Sequence, residues 1–404
     1  MSTSDSSRKV ASGMRPTGRL HLGHYHGVIK NWVRLQREYE CYFFAADWHA
    51  LTTGYHQTGE VERHTFDMVV DWLAAGVNPG AATIFVQSKV PEHAELHLLL
   101  SMISPVSWLE RAPTYKDMQA KLTDRDLATY GFLGYPVLQA ADILVYRAGN
   151  VPVGADQVAH LELVREIARR FNHVFGRESG FEEQAQAAVK KMGREASRIY
   201  RDLRKAYLER GDVEALERAR ALLAEQRNLS TGDRERLFGY LEGGGRTVLP
   251  EPRALLTDHA RMPGLDGQKM SKSYNNTIEL REPAGEVERK VRTMKTDPAR
   301  VRRRDPGNPD NCPVFELHQV YSDADTRDWA ARGCRSAGIG CLDCKRPLIE
   351  SINAEQQPMI DRAERFLDQP DLVHAILQEG AEKARDVARG TLEDVRASIG
   401  IVHR

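Results

Sequence analysis

Pro16-Thr17-Gly18-Arg19-Leu20-His21-Leu22-Gly23-His24 follows a short β-like stretch, Lys9–Ser12, and runs into the helix-prone Tyr25–Arg37. Glycines at the end of a first strand let the backbone approach a ligand closely, and the open N–H groups of the next helix favour phosphate. His21 and His24, three apart on that turn, are placed to donate to phosphoryl oxygens as negative charge builds. A His-x-x-His pair by itself also reads as a surface pair or half a metal site, so the rest of the chain has to decide.

Outward from this segment, strands alternate with helices. Cys41–Ala46 and Ala82–Val86 are short apolar or aromatic runs, each followed by an amphipathic stretch, 60–75 and 92–103. Tyr135–Tyr146 and Ala155–Phe171 have helical spacing, and Val151-Pro152-Val153 between them reads as a buried strand. The pattern predicts an α/β fold with a doubly wound, parallel, Rossmann-like sheet. From 177 to 252 the chain turns charge-rich. Val189, Met192, Ala196, Ile199, Leu203 and Ala206 form a helical seam, Gly211-Asp212 breaks it, and Val213–Gln226 is again helical. This predicts an inserted helical hairpin, leaving through Gly243–Gly245 and Pro250–Pro252. Beyond Pro283 the chain reads as all helix, through Glu286–Thr293, Pro313–Tyr321, Pro347–Leu367 and Asp371–Ser398. The expected divisions are a Rossmann-like domain 1–176, an insertion 177–252, a return to the first domain 253–282 and a helical domain 283–404.

Composition narrows the classes. Among 404 residues, 57 Lys+Arg balance 57 Asp+Glu, which argues against a whole-surface nucleic-acid binder and leaves room for a local basic patch. No apolar run approaches the roughly 18–20 residues of a membrane span, so a membrane protein is excluded. The polar start, MSTSDSSRKV, has no apolar h-region and predicts a cytoplasmic protein without structural disulfides.

The second strong signal is Lys269-Met270-Ser271-Lys272-Ser273, after a glycine-containing loop, Pro263–Gly267. Two flexible ammonium groups among small residues suit a triphosphate whose charge shifts onto a leaving pyrophosphate. With the Pro16–His24 segment, this points to adenylate transfer.

These two segments resemble the class I aminoacyl-tRNA synthetases, over nearly the whole chain outside the insertion. Within the class, Gly134–Leu144, Val151–Gln157 and His160-Leu-Glu-Leu resemble the tryptophanyl-tRNA synthetase family, with the tyrosyl-tRNA synthetases as near neighbours. An indole N–H is a donor only, so a selective pocket needs a buried acceptor, which Asp142 can supply. The resemblance implies that Asp142 takes the indole N–H while Tyr135 and Gln157 hold the ammonium and carboxylate; His49, in Asp47-Trp48-His49, is a further pocket candidate. It implies an ATP site of Arg15, Pro16, Thr17, Gly23 and His24, a ribose contact at Gly154, Ala155 and Asp156, and adenine contacts from Arg261 and Met262, with Lys269, Met270, Ser271, Lys272 and Ser273 on the phosphates. Ala155 departs from the family, which usually has an acidic residue there, so a ribose contact at that position falls to backbone. The implied reaction joins L-tryptophan to ATP, releases pyrophosphate and passes the tryptophanyl group to tRNA(Trp), with Mg²⁺ on the phosphates and a homodimeric enzyme. Tyrosine specificity and a non-catalytic, synthetase-like RNA-binding or regulatory protein are the alternatives.

Four of the five cysteines, Cys312, Cys334, Cys341 and Cys344, fall at C-x21-C-x6-C-x2-C, which suits Zn²⁺ or an iron–sulfur cluster. A subset of bacterial tryptophanyl-tRNA synthetases carries a 4Fe-4S cluster on similarly spaced cysteines, so the resemblance implies 4Fe-4S, with zinc as the alternative. Beside it, Lys290, Arg292, Lys295, Arg300, Arg302, Arg303 and Arg304 form the densest basic stretch and the candidate tRNA contact.

Overall fold

The structure is a computed structural model and describes residues 6–56, 58–112, 129–154, 157–176, 180–256 and 262–402. Five strands, β1 (Lys9–Met14), β2 (Glu40–Ala45), β3 (Ala82–Val86), β4 (Asn150–Val153) and β5 (Arg253–Leu256), form one sheet in the order β3-β2-β1-β4-β5. β1 and β4 run parallel with Val10 opposite Asn150, and β2 and β3 run parallel from Cys41 opposite Ala82 to Ala45 opposite Val86. The order reverses beside β1, the position at which doubly wound sheets open a ligand crevice, and β1 feeds directly into Pro16–His24. The expected Rossmann-like sheet is therefore present. β5 lies outside the strands read from sequence.

The chain forms two compact units. One comprises Gly13–Val86 and Leu256–Gly380. Its core sets Trp32 against Phe43, stacked at 4.3 Å, and edge-on to Trp72 at 5.1 Å. Trp72 belongs to the helix Val61–Ala74, whose inward face also buries Met68, Val69 and Leu73. The C-terminal part of this unit is helical: Ala284–Thr293, Pro313–Tyr321, Ala324–Arg335 and the 28-residue Cys341–Asp368. The last of these begins upstream of Pro347, where the sequence had placed its start.

The other unit comprises Met1–Ser12, Gln87–Leu255 and Ala381–Arg404. It holds the helices Glu92–Ser101, Tyr135–Leu144 and Val158–Phe175. The insertion is more than a hairpin: four helices, Phe181–Lys191, Arg194–Arg210, Val213–Glu225 and Thr231–Leu241, enclose an apolar core of their own. The predicted seam is real, but Gly193, at a left-handed φ of 83°, splits it between the first two helices. Tyr200 fastens the fourth helix by donating to the Leu237 carbonyl at 2.6 Å. Among the described residues no helix is long and apolar enough to cross a membrane.

Candidate active site and cysteine cluster

Between β1 and the first helical turn the backbone is held from outside. Leu22 N–H donates to the Ile278 carbonyl at 3.0 Å and Leu280 N–H to the Leu20 carbonyl at 2.8 Å, so Leu20–Leu22 lies antiparallel to 278–280. Asp71, 1% exposed, accepts from Leu20 N–H at 2.9 Å and pairs with Arg281. One buried carboxylate thus ties both strands of this clasp. Gly18 sits at a φ of 100°, a conformation that glycine takes without Cβ strain. A Cβ on Gly23 would stand 2.9 Å from His21 Cε1, so glycine lets the His21 ring fold back over this turn, while Met270 of the second signature lies within ordinary contact at 3.6 Å.

The two segments meet in fact. Lys272 Nζ donates to the carbonyls of Thr17 at 3.1 Å and Gly18 at 2.8 Å. The rings of His21 and His24 lie 3.7 Å apart between centroids. Burial, followed by the charge of Lys272, lowers His21 to about 4; burial, then His21, Lys272 and Lys269, holds His24 well below the ordinary imidazole range. Burial also brings Lys272 down to about 8. At neutral pH the imidazoles are therefore neutral donors beside a charged lysine. His21 Nδ1 is buried without a partner among the described residues, a vacancy in hydrogen bonding that a phosphoryl oxygen would fill.

The lysine segment is pinned by Asn276, which is 2% exposed. Its Oδ1 accepts from Ser271 N–H at 2.8 Å, and its Nδ2 donates to Asp266 Oδ1 at 2.7 Å and to the Lys269 carbonyl at 3.3 Å. Met270 N–H donates to the Met262 carbonyl at 3.0 Å, burying both methionines. Lys269 and Ser273 are exposed, and Ser271 Oγ lies 2.9 Å from Ser273 Oγ. Arg15 is half-buried, Pro16 buried and Thr17 exposed along the same surface-facing segment. Ala155, Asp156 and Arg261 lie outside the described residues; Gly154 is buried and accepts from Gln157 N–H at 2.9 Å.

In the other compact unit, Asp142 is 2% exposed on the helix Tyr135–Leu144. Its Oδ1 takes Gln87 Nε2 at 2.7 Å and His93 Nδ1 at 2.6 Å, while His93 Nε2 meets Tyr146 Oη at 2.5 Å. The predicted acceptor is thus the centre of a buried polar network whose other members, Gln87, His93 and Tyr146, sequence reading missed. Tyr135 opens the same helix, Gln157 stands exposed before the helix Val158–Phe175, and His49 is buried on Asp47–Gly54 in the first unit.

The four cysteines are partly buried and gathered: Cys312 before the helix Pro313–Tyr321, Cys334 near the end of Ala324–Arg335, and Cys341 and Cys344 on the first turn of Cys341–Asp368. Burial, then Cys312, Cys334 and Cys341, pushes the Cys344 thiol up to about 12, and burial likewise raises Cys334. Cys344 Sγ lies 3.4 Å from His318 Nε2. Among the described residues no group of three or more His, Cys, Asp and Glu side chains converges as a metal-ion site. The donor chemistry, four cysteine thiols of which burial holds Cys334 and Cys344 in the neutral form, fits a cationic metal group that would favour the thiolates.

The basic stretch divides. Arg300 is buried, with its guanidinium donating to the carbonyls of Arg303 and Ile339, and Lys290 donates to the Thr277 carbonyl at 2.9 Å and pairs with Glu282. Arg300 thus has fold carbonyls as partners, and the half-buried Lys290 has Glu282. Arg292, Lys295, Arg302, Arg303 and Arg304 are exposed.

A family model described as tRNA synthetases class I (W and Y) matches residues 3–196 and 225–356, skipping part of the four-helix insertion. A tryptophan–tRNA ligase of Ralstonia nicotianae is 63% identical over 98% of this chain and 99% of its own length; one from Thermotoga maritima is 42% identical over 98% and 99%. The crystal structure of a Campylobacter jejuni tryptophanyl-tRNA synthetase, complexed with ADP and tryptophan, superposes with a TM-score of 0.72 at 26% identity, covering 97% of this chain and 99% of that one. The chain belongs to the class I tRNA synthetases of the tryptophan and tyrosine group.

Proposed function

We propose that this protein is a tryptophan–tRNA ligase: it condenses L-tryptophan with ATP to tryptophanyl-AMP and pyrophosphate, then transfers the tryptophanyl group to tRNA(Trp). The observation that carries the reading is the meeting of Lys272 with Thr17 and Gly18 beside two neutral histidines. A tryptophan carboxylate oxygen attacks the α-phosphorus, the bond to the bridging oxygen breaks, and pyrophosphate leaves. His21 and His24 donate to phosphoryl oxygens without adding a charge of their own, and Lys272 and Lys269 follow the charge onto the leaving group. A ribose hydroxyl of the tRNA terminus then attacks the carbonyl, and AMP departs. Mg²⁺, when bound, offsets triphosphate charge; the signature segments offer lysines and histidines rather than carboxylates, so the ion would ride on the phosphates.

Residues 1–176 and 253–282 supply this chemistry in our reading, and 283–404 the anticodon contact. Asp142 would accept the indole N–H, its position fixed by Gln87 and His93, with Tyr135 and Gln157 on the amino acid's charged ends; His49 is a further candidate for tryptophan. In the cysteine site we favour a 4Fe-4S cluster held by Cys312, Cys334, Cys341 and Cys344. The C-x21-C-x6-C-x2-C spacing and the electrostatic influence of Cys312, Cys334 and Cys341 on Cys344 support this reading, with zinc as the alternative. Its chemistry there is structural, shaping the surface that presents Arg292, Lys295 and Arg302–Arg304 to RNA. Leu98, Met102, Val106 and Tyr130 are exposed apolar side chains in one stretch of chain and support a homodimer.

Amino-acid-dependent ATP–pyrophosphate exchange tests the reading. Exchange with tryptophan and not tyrosine is the expected result; exchange with tyrosine overturns the specificity, and exchange with neither overturns the activity.

A further inference from the structure

His26 follows His24 by two residues, and two helical steps turn a side chain through roughly 200°, to the opposite side of the segment. Residues Tyr25–Ile29 form a π-helical turn, a wide turn that re-aims the side chains it carries. Away from His24, His26 Nε2 lies 2.9 Å from Tyr321 Oη and 2.9 Å from Glu355 Oε2, and Tyr321 also hydrogen-bonds to Glu355. The His26 and Tyr321 rings meet edge-on at 5.2 Å. Lys30, one turn on, approaches the same carboxylate at 3.7 Å.

The neighbour of Glu355 does a related thing. Gln356, 1% exposed, donates from Nε2 to the Glu279 carbonyl at 2.7 Å, and Glu279 is the residue bridged to His21. Consecutive residues near the middle of Cys341–Asp368 thus hold the back of the turn that carries His24 and the strand opposite His21. A polar triangle of this kind fixes a rotation more sharply than apolar contact does, because each of its hydrogen bonds is directional.

We propose that Glu355 is a positioning residue for adenylate formation: through His26 it sets the rotation of the turn carrying His24, while Gln356 holds the strand opposite His21. The proposal rests on the tryptophan–tRNA ligase reading. A misrotation of His24 weakens a contact that matters most in the transition state, so it lowers kcat more than it raises KM.

The experiment measures kcat and KM for ATP in tryptophan-dependent pyrophosphate exchange, with melting curves, for wild type, Glu355→Ala, Glu355→Gln, His26→Ala and the double alanine variant. Glu355→Ala should lower kcat about tenfold with KM for ATP within about twofold. Glu355→Gln keeps an oxygen that accepts from His26 and should recover most of that loss. The double variant should be no slower than the worse single, since one residue acts through the other. Should Glu355→Ala not fold, His26→Phe, which keeps the ring and removes its polar atoms, carries the same kcat expectation. Unchanged kcat in these folded variants, or multiplicative losses in the double, overturns the positioning role alone. A wild type without tryptophan-dependent exchange overturns the functional reading and this role with it.

Discussion

The nucleotide signatures and the four-cysteine site occupy one compact unit, and their electrostatics are inverted. Around Lys272 the groups able to carry positive charge are driven toward neutrality: His21 to about 4, His24 well below the ordinary imidazole range, Lys272 to about 8. Around Cys344 the groups able to carry negative charge are driven toward neutrality, with Cys344 up to about 12 and Cys334 raised. Burial is the first cause in each of these groups, and like charges add to it at His21, His24 and Cys344. A bound polyanion would favour the charged forms in the first site, and a bound metal cation would favour the thiolates in the second. The anchoring differs too. The first site is clasped by Asp71 and Asn276 through backbone N–H groups, whereas the second is braced by cations, Arg300 on the Ile339 carbonyl and Lys345 on those of Arg292 and Met294 at 2.8 and 2.7 Å.

The anchoring half of this contrast breaks most visibly at Asp71. Asp71→Ala removes the nearer of the two carboxylates that Arg281 pairs with, leaves it Asp67 at 3.5 Å and frees Leu20, and should cost about 3 kcal/mol of unfolding free energy, read from denaturant curves. A loss below about 1 kcal/mol would mean the clasp is held by packing alone.

Next in size is the charge half. Lys272→Ala should lower kcat/KM for tryptophan-dependent pyrophosphate exchange by about 10²–10³, the scale of removing one preorganised transition-state contact. A loss under tenfold would leave the polyanion assignment without its principal cation.

For the cysteine site the sharper probe lies beside the thiols. His318 touches Cys344 Sγ and its carbonyl, at 3.4 and 3.1 Å, and donates or accepts at Ser322 Oγ at 2.7 Å. His318→Ala should weaken metal retention against a chelator about 10- to 100-fold, followed by visible absorption on anaerobically prepared protein. Protein that never acquires metal would remove the cation from the comparison.

The contrast was unevenly legible in the sequence. The signature residues are readable because lysines, histidines and the glycines between them suggest a phosphate chemistry by type and spacing alone. Asp71 was not, since its role depends on Leu20 and Arg281 arriving from 51 and 210 positions away; the only local hint is a carboxylate inside the apolar run Met68–Leu73. Asn276 is hidden for the same reason. In the insertion, helical spacing was read correctly, but a single Gly193 between two seam residues divided one expected helix into two. A basic run reports composition only, so the hydrogen bonds of the Arg300 guanidinium to the Arg303 and Ile339 carbonyls are not legible in it. The needs of an indole point to Asp142 as an expectation from sequence, yet its hydrogen-bond partners Gln87 and His93 lie far off in the chain and carry no pattern of their own.

The smallest expected effect separates the two regions by sign. Free Lys272 titrates at about 8, so near that pH it is about half charged. A bound triphosphate favours the charged form and raises that pKa, so ATP binding at pH 8 should take up about half a proton, and affinity should fall as pH rises through 8. His21, at about 4, adds nothing there and contributes uptake only in acid. At the cysteine site the thiols must give up protons to ligate, so metal binding releases protons at the same pH. Calorimetry in buffers of different ionisation enthalpy reads both: uptake for ATP that disappears in Lys272→Met, release for iron or zinc titrated into the same protein. No proton uptake on ATP binding would mean that the lysine is already fully charged in the free site, and the inversion between the two regions would then rest on the histidines alone.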